Sequence, residues 1–323
     1  MVCAAKAKNL ERHYRRRRER YATSVGMCNV YKPEAVTEVV RARIAARGYK
    51  VTLRTIGQIH TLAIVRQKTW ESSLVRELKC LGPVTLIDFT ARGFDESKQR
   101  TKKEWINRRK LENQRIIETL ANVHPQHPVD LVYCYFDGLF ILKQTIAQIH
   151  ERFGIPVVNM GLDDKQSWEG KMLGEQRTGQ VDLVNVFDVW WTSSRVCCQW
   201  ITSEGGLPIY MPEGCDPSQF YPKPDVSQDI DVSFVGACYG PRPQMVRALR
   251  DAGIDVKVFG HGWGKWGEFA NDPVDIFRRS KINLGIGAVG HSMNLTNVKA
   301  RDFEVPCTGG GVYLTQYNAD LAQ

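Results

Sequence analysis

"DVSFVGACYGPRPQMVRALRDAGIDVKVFG" fills residues 231–260 and has the pattern of a strand, a helix and a second strand. The apolar run that ends at Gly236 predicts a buried strand, and the small residues after it predict a tight turn. Pro241 is typical of the first turn of a helix, and the run 256–259 predicts the next strand. Such a unit predicts parallel strands, because the helix returns the chain to the edge where the first strand began.

The same alternation of short apolar runs and longer amphipathic runs begins near residue 49. Before residue 215, strands are predicted at 49–56, 82–89, 130–137, 155–164, 186–194 and 207–214. Residues 215–229, rich in Pro, Asp and Ser, then interrupt the pattern and predict a domain boundary. The predicted fold class is α/β, with two Rossmann-like lobes facing a cleft, over residues 25–215 and 216–323.

The composition fits a protein with ordinary buried cores, since 43% of the 323 residues are hydrophobic and 24% are charged. No apolar run approaches the roughly 18 residues of a membrane-spanning helix. The nine cysteines are scattered and form no CxxC pair, which disfavours a zinc site or a disulfide framework. We therefore expect a cytoplasmic protein, with peripheral attachment to a membrane as an alternative.

Residues 1–24 form a basic N-terminal tail. Its first 20 residues hold eight Lys or Arg against two Glu, a net charge of +6 out of +9 for the whole chain. The functional interpretation is an arm that binds an anionic membrane surface or nucleic acid. The alternative is a solvated, partly helical extension.

The turn at residues 236–241 has the features of a phosphate site. Gly236 and Gly240 allow close backbone approach, and the N–H groups at the start of the following helix suit an anion. Arg242 lies in the first helical turn, where a cation opposes the helix dipole, so we expect it to meet an anion. The alternative is an ordinary turn with a solvent-facing Arg242.

A second glycine-rich turn, "GHGWGKWG" at 260–267, contains a formal GxGxxG pattern. It follows the second strand of its lobe, whereas a dinucleotide site needs the first turn, so a nicotinamide or flavin enzyme is disfavoured. We expect Trp263 to stack on a base or sugar, and His261 to donate to phosphate or sugar.

Glu304 stands near the end of a predicted helix, just before the glycines 309–311. A carboxylate there can accept two hydrogen bonds from a ribose diol, and Gly309 and Gly310 would let the backbone approach the same ligand. The alternative is a surface Glu304 at the helix end. We expect this turn to face the same cleft as Gly236.

Four stretches, in order, resemble the C-terminal lobe of the group-one glycosyltransferases, and most closely the CgeB-like (spore-maturation type) branch. The first is "YMPEGCDPSQFYP" (210–222), and the second is the unit from residue 231 with its extension to Trp263. The third is "FRRSKINLGI" (277–286). The fourth is an Arg-x-Phe-Glu…Gly-Gly element, which consists of Arg301, Phe303, Glu304, Gly309 and Gly310.

The resemblance implies a GT-B fold and a glycosyltransferase that moves a sugar from a nucleotide-diphosphate sugar to an unknown acceptor, whether glycan, lipid or protein. It implies that Glu304 binds the ribose, that Arg242 and Lys281 neutralise the diphosphate, and that no metal or other cofactor is needed. The chain departs from the strict group-one pattern at Thr296, where an earlier acid is expected. It also ends 19 residues after Glu304, so the second lobe is expected to be truncated.

The catalytic base of an inverting reaction would come from the first lobe, at a strand end. The candidates are Asp163, Asp137 and His60. The competing hypothesis is a non-catalytic nucleotide-sugar-binding or structural protein of the same fold. The sequence leaves open the donor base, the sugar, and retention or inversion.

Overall fold

A computed structural model describes residues 2–22, 33–50, 52–67, 71–94, 101–268 and 272–322. The predicted boundary after residue 24 lies outside these ranges. The chain divides into two compact units. We call Tyr21–Met211 the first lobe, and Pro212–Gln323 together with Met1–Arg20 the second lobe.

The first lobe is a parallel α/β unit. Helix α1 (Val2–Tyr21) precedes it, and residues 2–20 of that helix belong to the second lobe. The helices of the first lobe are α2 (Pro33–Ala46), α3 (Glu71–Leu78), α4 (Lys102–Val123), α5 (Lys143–Phe153), α6 (Asp164–Ser167) and α7 (Arg195–Ser203). The strands are β1 (Thr61–Val65), β2 (Val84–Asp88), β3 (Leu131–Cys134), β4 (Val157–Gly161), β5 (Met172–Leu173), β6 (Gln176–Arg177), β7 (Val189–Thr192) and β8 (Pro208–Tyr210). The main sheet has the order β2-β1-β3-β4-β7-β8 with all pairs parallel, and β5 and β6 form a separate antiparallel ribbon.

The predicted strand at 49–56 is wrong. Its alternating apolar residues are exposed, with Leu53 at 77% and Ile56 at 80% of full exposure. The first strand is instead Thr61–Val65, in which every residue is buried. A parallel strand covered on both faces needs a continuous apolar run rather than an alternating one, and "TLAIV" is such a run.

The second lobe is a smaller parallel unit. Its strands are β9 (Ile230–Val235), β10 (Val256–Phe259), β11 (Ser280–Gly285), β12 (Ala288–Val289), β13 (Ser292–Thr296) and β14 (Val312–Thr315), and its helices after α1 are α8 (Arg242–Asp251), α9 (Pro273–Arg279) and α10 (Arg301–Cys307). The main sheet has the order β10-β9-β11-β14, and β12 and β13 form an antiparallel hairpin.

The prediction of α/β architecture with two Rossmann-like lobes is confirmed. The unit at 231–260 folds as strand β9, helix α8 and strand β10, with Val232, Phe234, Val246 and Val258 in one buried cluster. The chain passes from β9 to β10 on one side of β9 in the sheet, and then crosses back to β11 on the other side of β9. The carboxyl ends of β9 and β11 therefore form a topological switch point, where open α/β sheets bind ligands.

The basic N-terminal segment is helical. Its residues 2–20 belong to the second lobe, and Glu11 Oε1 accepts hydrogen bonds from Ser292 Oγ at 2.5 Å and Asn294 Nδ2 at 3.1 Å. Glu11 thus attaches α1 to the β12–β13 hairpin, while Arg12, Arg15 and other cations of this helix are exposed. Within the described ranges, no helix has both the length and the apolar character that crossing a bilayer requires.

Candidate functional site

The switch point of the second lobe is formed around Gly236, which follows β9. Gly236 has φ 155, and Nη1 of Arg301 lies 2.9 Å from the position that a Cβ at this residue would occupy. A side chain here would be strained by the backbone and would also displace the guanidinium. Gly240, four residues on, has φ 61 and packs against the carbonyl oxygen of Gly290. Both glycines therefore shape this turn.

The second glycine turn supports the first. Gly236 N donates to Phe259 O at 2.8 Å, and Cys238 N donates to His261 O at 2.8 Å. The indole Nε1 of Trp263 donates to Gly236 O at 2.8 Å. Trp263 is only 5% exposed and lies edge-on to Phe234 in the core, so the expectation that it stacks on a base is corrected. The side chain of His261 is exposed beside this turn.

Arg242 is a buried cation at the start of α8. It is 4% exposed, Nη1 donates to Ala237 O at 3.0 Å, and Nη2 is 3.5 Å from Ile286 O. Its guanidinium thus spans the ends of β9 and β11, and it also lies 4.0 Å from the centroid of the Tyr239 ring. The pKa of Arg242 is lowered to about 10, mainly by burial and in part by the neighbouring Arg301, while Tyr239 acts in the opposite direction. The alternative of a solvent-facing Arg242 is therefore wrong.

Arg301 approaches the same place from the start of α10. Its guanidinium carbon lies 5.2 Å from the centroid of the Phe234 ring, and that of Arg242 lies 5.3 Å from the same centroid. The Nε atoms of both arginines are buried without a hydrogen-bond partner among the described residues. Among the residues that the structure describes, neither Arg242 nor Arg301 forms an ion pair with a carboxylate. Two cations therefore converge at the switch point.

Glu304 lies one helical turn after Arg301, on the same side of α10. It is partly buried, which raises the pKa of its carboxyl group, and the positive charge of Arg301 opposes that rise. The acid therefore interacts with the charge of Arg301, but it forms no ion pair with that arginine among the described residues.

Three predicted ligand residues lie at the opposite edge of this sheet. Lys281 is the second residue of β11, and its Nζ pairs with Asp231 Oδ1 at 2.6 Å on the surface, at the amino ends of the strands. A Cβ at Gly309 would lie 3.0 Å from Pro222 Cβ, and one at Gly310 would lie 3.0 Å from Arg278 Cα. These glycines allow close packing within the lobe, and the prediction that their turn lies beside Gly236 is wrong because α10 separates the two turns.

In the first lobe, Asp137 follows β3 at the switch point between β1 and β3. Its Oδ1 accepts from Leu139 N at 3.0 Å. The next residue, Gly138, is fixed by the buried Arg109, which donates hydrogen bonds to Gly138 O and to Leu173 O, each at 2.6 Å. Asp137 is therefore held by a rigid turn at the edge where ligands bind.

The two aspartates after β4 have different surroundings. Asp163 is exposed and is the N-cap residue of α6, with its carbonyl oxygen accepting from Gln166 N and Ser167 N. Asp164 is fully buried, and this burial raises the pKa of its carboxyl group to about 7 in spite of hydrogen bonds from Thr192 and Trp190. Only Asp163 is accessible to an acceptor.

His60 is placed at the wrong edge for the predicted role. It precedes β1, so it lies at the amino ends of the strands. Its Nε2 bonds Thr85 Oγ1 at 2.9 Å, and its Nδ1 lies 3.2 Å from the carbonyl oxygens of His127 and Pro128. Both ring nitrogens are thus used within the lobe, and the candidacy of His60 as base is corrected.

Arg242 lies over the rings of Phe234 and Tyr239, two aromatic residues that were not predicted as part of the site. The β12–β13 hairpin, which packs on Gly240 through Gly290, was not predicted either. The aromatic positions in "SFVGACYG" were a usable signal, because arginine stacks readily on aromatic faces. No group of three or more His, Cys, Asp or Glu in the described ranges is arranged to hold a metal ion.

No protein-family model and no curated protein matches the chain. Among solved structures, it is similar to a UDP co-structure of MnaA from S. aureus, with 13% sequence identity and a TM-score of 0.41. The match covers 70% of this chain and 73% of that chain. The function proposed below is therefore supported by the residues of this chain alone.

Proposed function

We propose that the second lobe binds the diphosphate of a nucleotide sugar at the Gly236 turn, and that the protein is a glycosyltransferase of the kind that the CgeB-like resemblance implies. Arg242 and Arg301 would hold the diphosphate, and Glu304 would accept hydrogen bonds from the ribose hydroxyls. The donor sugar would then pass to the acceptor.

The observation that carries this proposal is the convergence of Arg242 and Arg301. Two like charges in a partly buried place repel each other, and burial adds a desolvation cost. A diphosphate supplies more than one negative charge and several oxygen acceptors, which match the fork of N–H donors on a guanidinium. A bound diphosphate would therefore offset this repulsion and desolvation cost.

Glu304 supports the nucleotide-sugar class over inorganic diphosphate. A carboxylate repels phosphate oxygens, so its position one helical turn from Arg301 favours a ligand that also presents hydroxyl donors. A ribose diol gives a carboxylate two hydrogen bonds of this kind. Glu304 would thus set the spacing between diphosphate and sugar.

The chemical step would rely on electrostatic stabilisation. In sugar transfer the diphosphate leaves with growing negative charge, and preorganised cations at that position lower the barrier. For an inverting reaction, Asp137 or Asp163 would take the proton of the acceptor hydroxyl. Asp137 is the stronger candidate, because it lies at the switch point of its own sheet.

The second candidate function is a binding protein without turnover, which the same arginine pair supports equally. The experiment is calorimetric titration with UDP-, GDP- and ADP-sugars, followed by measurement of released nucleoside diphosphate with glycan, lipid and protein acceptors. Binding with release supports the transferase, and binding without release on any acceptor supports the second candidate. No binding of any nucleotide would contradict both. Arg247→Ala, an exposed arginine on α8, is the matched control.

A further inference from the structure

Cys215 and Cys307 bring their thiols together from distant parts of the second lobe. The two residues are 92 positions apart in the chain, yet their Sγ atoms are 3.0 Å apart. Cys215 lies in the segment that precedes β9, and Cys307 is the last residue of α10. Cys307 is exposed and Cys215 is partly exposed, so small reagents can reach the pair.

Neighbouring contacts fix both thiols in place. Asp216 organises the turn after Cys215, since its carboxylate accepts from Ser218 N at 2.8 Å and from Gln219 Nε2 at 2.9 Å. Two residues beyond Cys307, Gly309 packs so closely on Pro222 that a Cβ would lie 3.0 Å from the proline ring. The end of α10 thus touches this segment at two points.

We propose that Cys215 and Cys307 are a reversible redox pair, which a low-molecular-weight disulfide converts to an intramolecular disulfide. A disulfide bond has an S–S length of about 2.05 Å, so the sulfur atoms need to approach by only about 1 Å. No rearrangement of the sheet is required for that movement.

The reaction balances as two thiol–disulfide exchanges. The thiolate of Cys307 attacks the small disulfide RSSR, forming a mixed disulfide and releasing one RS⁻, which takes up a proton. Cys215 then loses its proton and attacks the Sγ of Cys307, which releases the second RS⁻. The protein loses two hydrogen atoms, and RSSR is reduced to two RSH.

Cys307 is the residue that attacks first. Burial and the hydrogen bond with Cys307 raise the pKa of Cys215 to about 12, so Cys215 is a thiol rather than a thiolate near neutral pH. Cys215 therefore acts as the resolving residue, once the mixed disulfide on Cys307 is next to it.

The disulfide would tie the segment before β9 to the end of α10, the helix that begins with Arg301. It closes a loop of 92 residues, and a loop of that size restricts the unfolded chain strongly. The oxidised protein should therefore unfold at a temperature about 5–10 °C above that of the reduced protein.

The test uses the full chain, with oxidised glutathione as the small disulfide. After alkylation of remaining thiols, peptides are mapped without reduction, and thermal unfolding is recorded before and after dithiothreitol. We expect a cross-linked Cys215–Cys307 peptide, a higher unfolding temperature, and reversal of both by dithiothreitol. Cys80→Ser, which removes an exposed thiol elsewhere, should keep both effects, whereas Cys215→Ser and Cys307→Ser should abolish them.

Glutathione adducts on Cys307 without the cross-link, or alkylation of both thiols after oxidation, would overturn the proposal. The peptide map of the unmutated protein decides this even if a serine variant fails to fold. No nucleotide is needed in the experiment, so its result is independent of the function proposed above.

Discussion

Arg242 and Arg301 place their guanidinium groups over the same aromatic ring, that of Phe234, with the guanidinium carbons 5.3 and 5.2 Å from its centroid. One arginine begins α8 and the other begins α10, so the fold brings together two helix starts and two cations at the end of β9. The aromatic face attracts both charges and helps to hold them near each other. The proposed diphosphate would thus meet two cations that the fold already holds in place.

Gly236→Ala should weaken nucleotide binding by at least about tenfold, because the added Cβ would collide with Arg301 and the Phe234 ring. Titration with nucleoside diphosphates measures the effect. The matched control is Gly253→Ala, where φ is 84 and an added Cβ meets nothing within 4 Å. Both variants should lose about 1 kcal/mol or more of stability from backbone strain. Equal affinities in the two variants would exclude a role for the Gly236 turn.

Glu304→Gln should reduce the preference for ribose over deoxyribose. A carboxylate gains about 1–3 kcal/mol from charge-assisted hydrogen bonds to hydroxyls, and an amide accepts fewer and weaker ones. The measurement compares the dissociation constants of UDP and 2′-deoxy-UDP, and of the GDP and ADP pairs, for both proteins. If the wild type binds the ribo and deoxy forms equally, Glu304 does not contact the ribose.

Lys281→Ala should leave nucleotide affinity unchanged within about twofold. The lysine is exposed, pairs with Asp231, and lies at the edge of the sheet opposite Gly236. A surface pair of this kind contributes about 0–1 kcal/mol to stability, so the fold should also be little affected. A tenfold loss of affinity would restore the role that the resemblance implied for this residue.

Asp164→Asn should make stability less dependent on pH. Burial raises the folded-state pKa of Asp164 to about 7 from an ordinary value of 3.8. Below pH 3.8 both states are protonated. Between these values the folded state binds more protons, so stability falls as pH rises toward 7 and stays reduced above it.

From pH 5 to pH 8, urea unfolding of the wild type should therefore show a loss of roughly 2–3 kcal/mol that the asparagine variant lacks. Asp163→Asn, at the exposed neighbour, is the control. It removes a charge that adds to the rise in the pKa of Asp164, so it should keep most, but not all, of the pH dependence of the wild type. Parallel stability curves for Asp164→Asn and the wild type would show that the carboxyl group is ionised in the folded protein.

The sequence predicted local units well, because the strand, the turn and the helix start at 231–260 each have their own signal in adjacent residues. It was harder to predict at which edge of the sheet, the amino or the carboxyl ends of the strands, a given residue lies. Lys281 and Gly309 lie, like Arg242, in stretches that carry the resemblance, but the register of β11 and β14 and the length of α10 decide which edge of the sheet each residue occupies. The alternating pattern at 49–56 predicts a strand that the structure lacks, so His60 lies before the first strand rather than after one.

The meeting of Arg301 with Phe234 could not be predicted from sequence, since it depends on a contact between residues far apart in the chain. The proximity of Cys215 and Cys307 could not be predicted for the same reason. In both cases parallel strands and their crossover helices bring distant segments together, and spacing along the chain carries no record of it.

The most direct test of the account is the affinity for one nucleoside diphosphate, measured by calorimetry for the wild type, Arg301→Ala, Arg301→Lys and Arg247→Ala at two salt concentrations. The account predicts a loss of at least about tenfold for Arg301→Ala, partial retention for Arg301→Lys, and no change for Arg247→Ala. Removing the terminal phosphate from the ligand should weaken wild-type binding strongly and Arg301→Ala binding little. Equal affinity of the wild type and Arg301→Ala for the diphosphate would contradict the account.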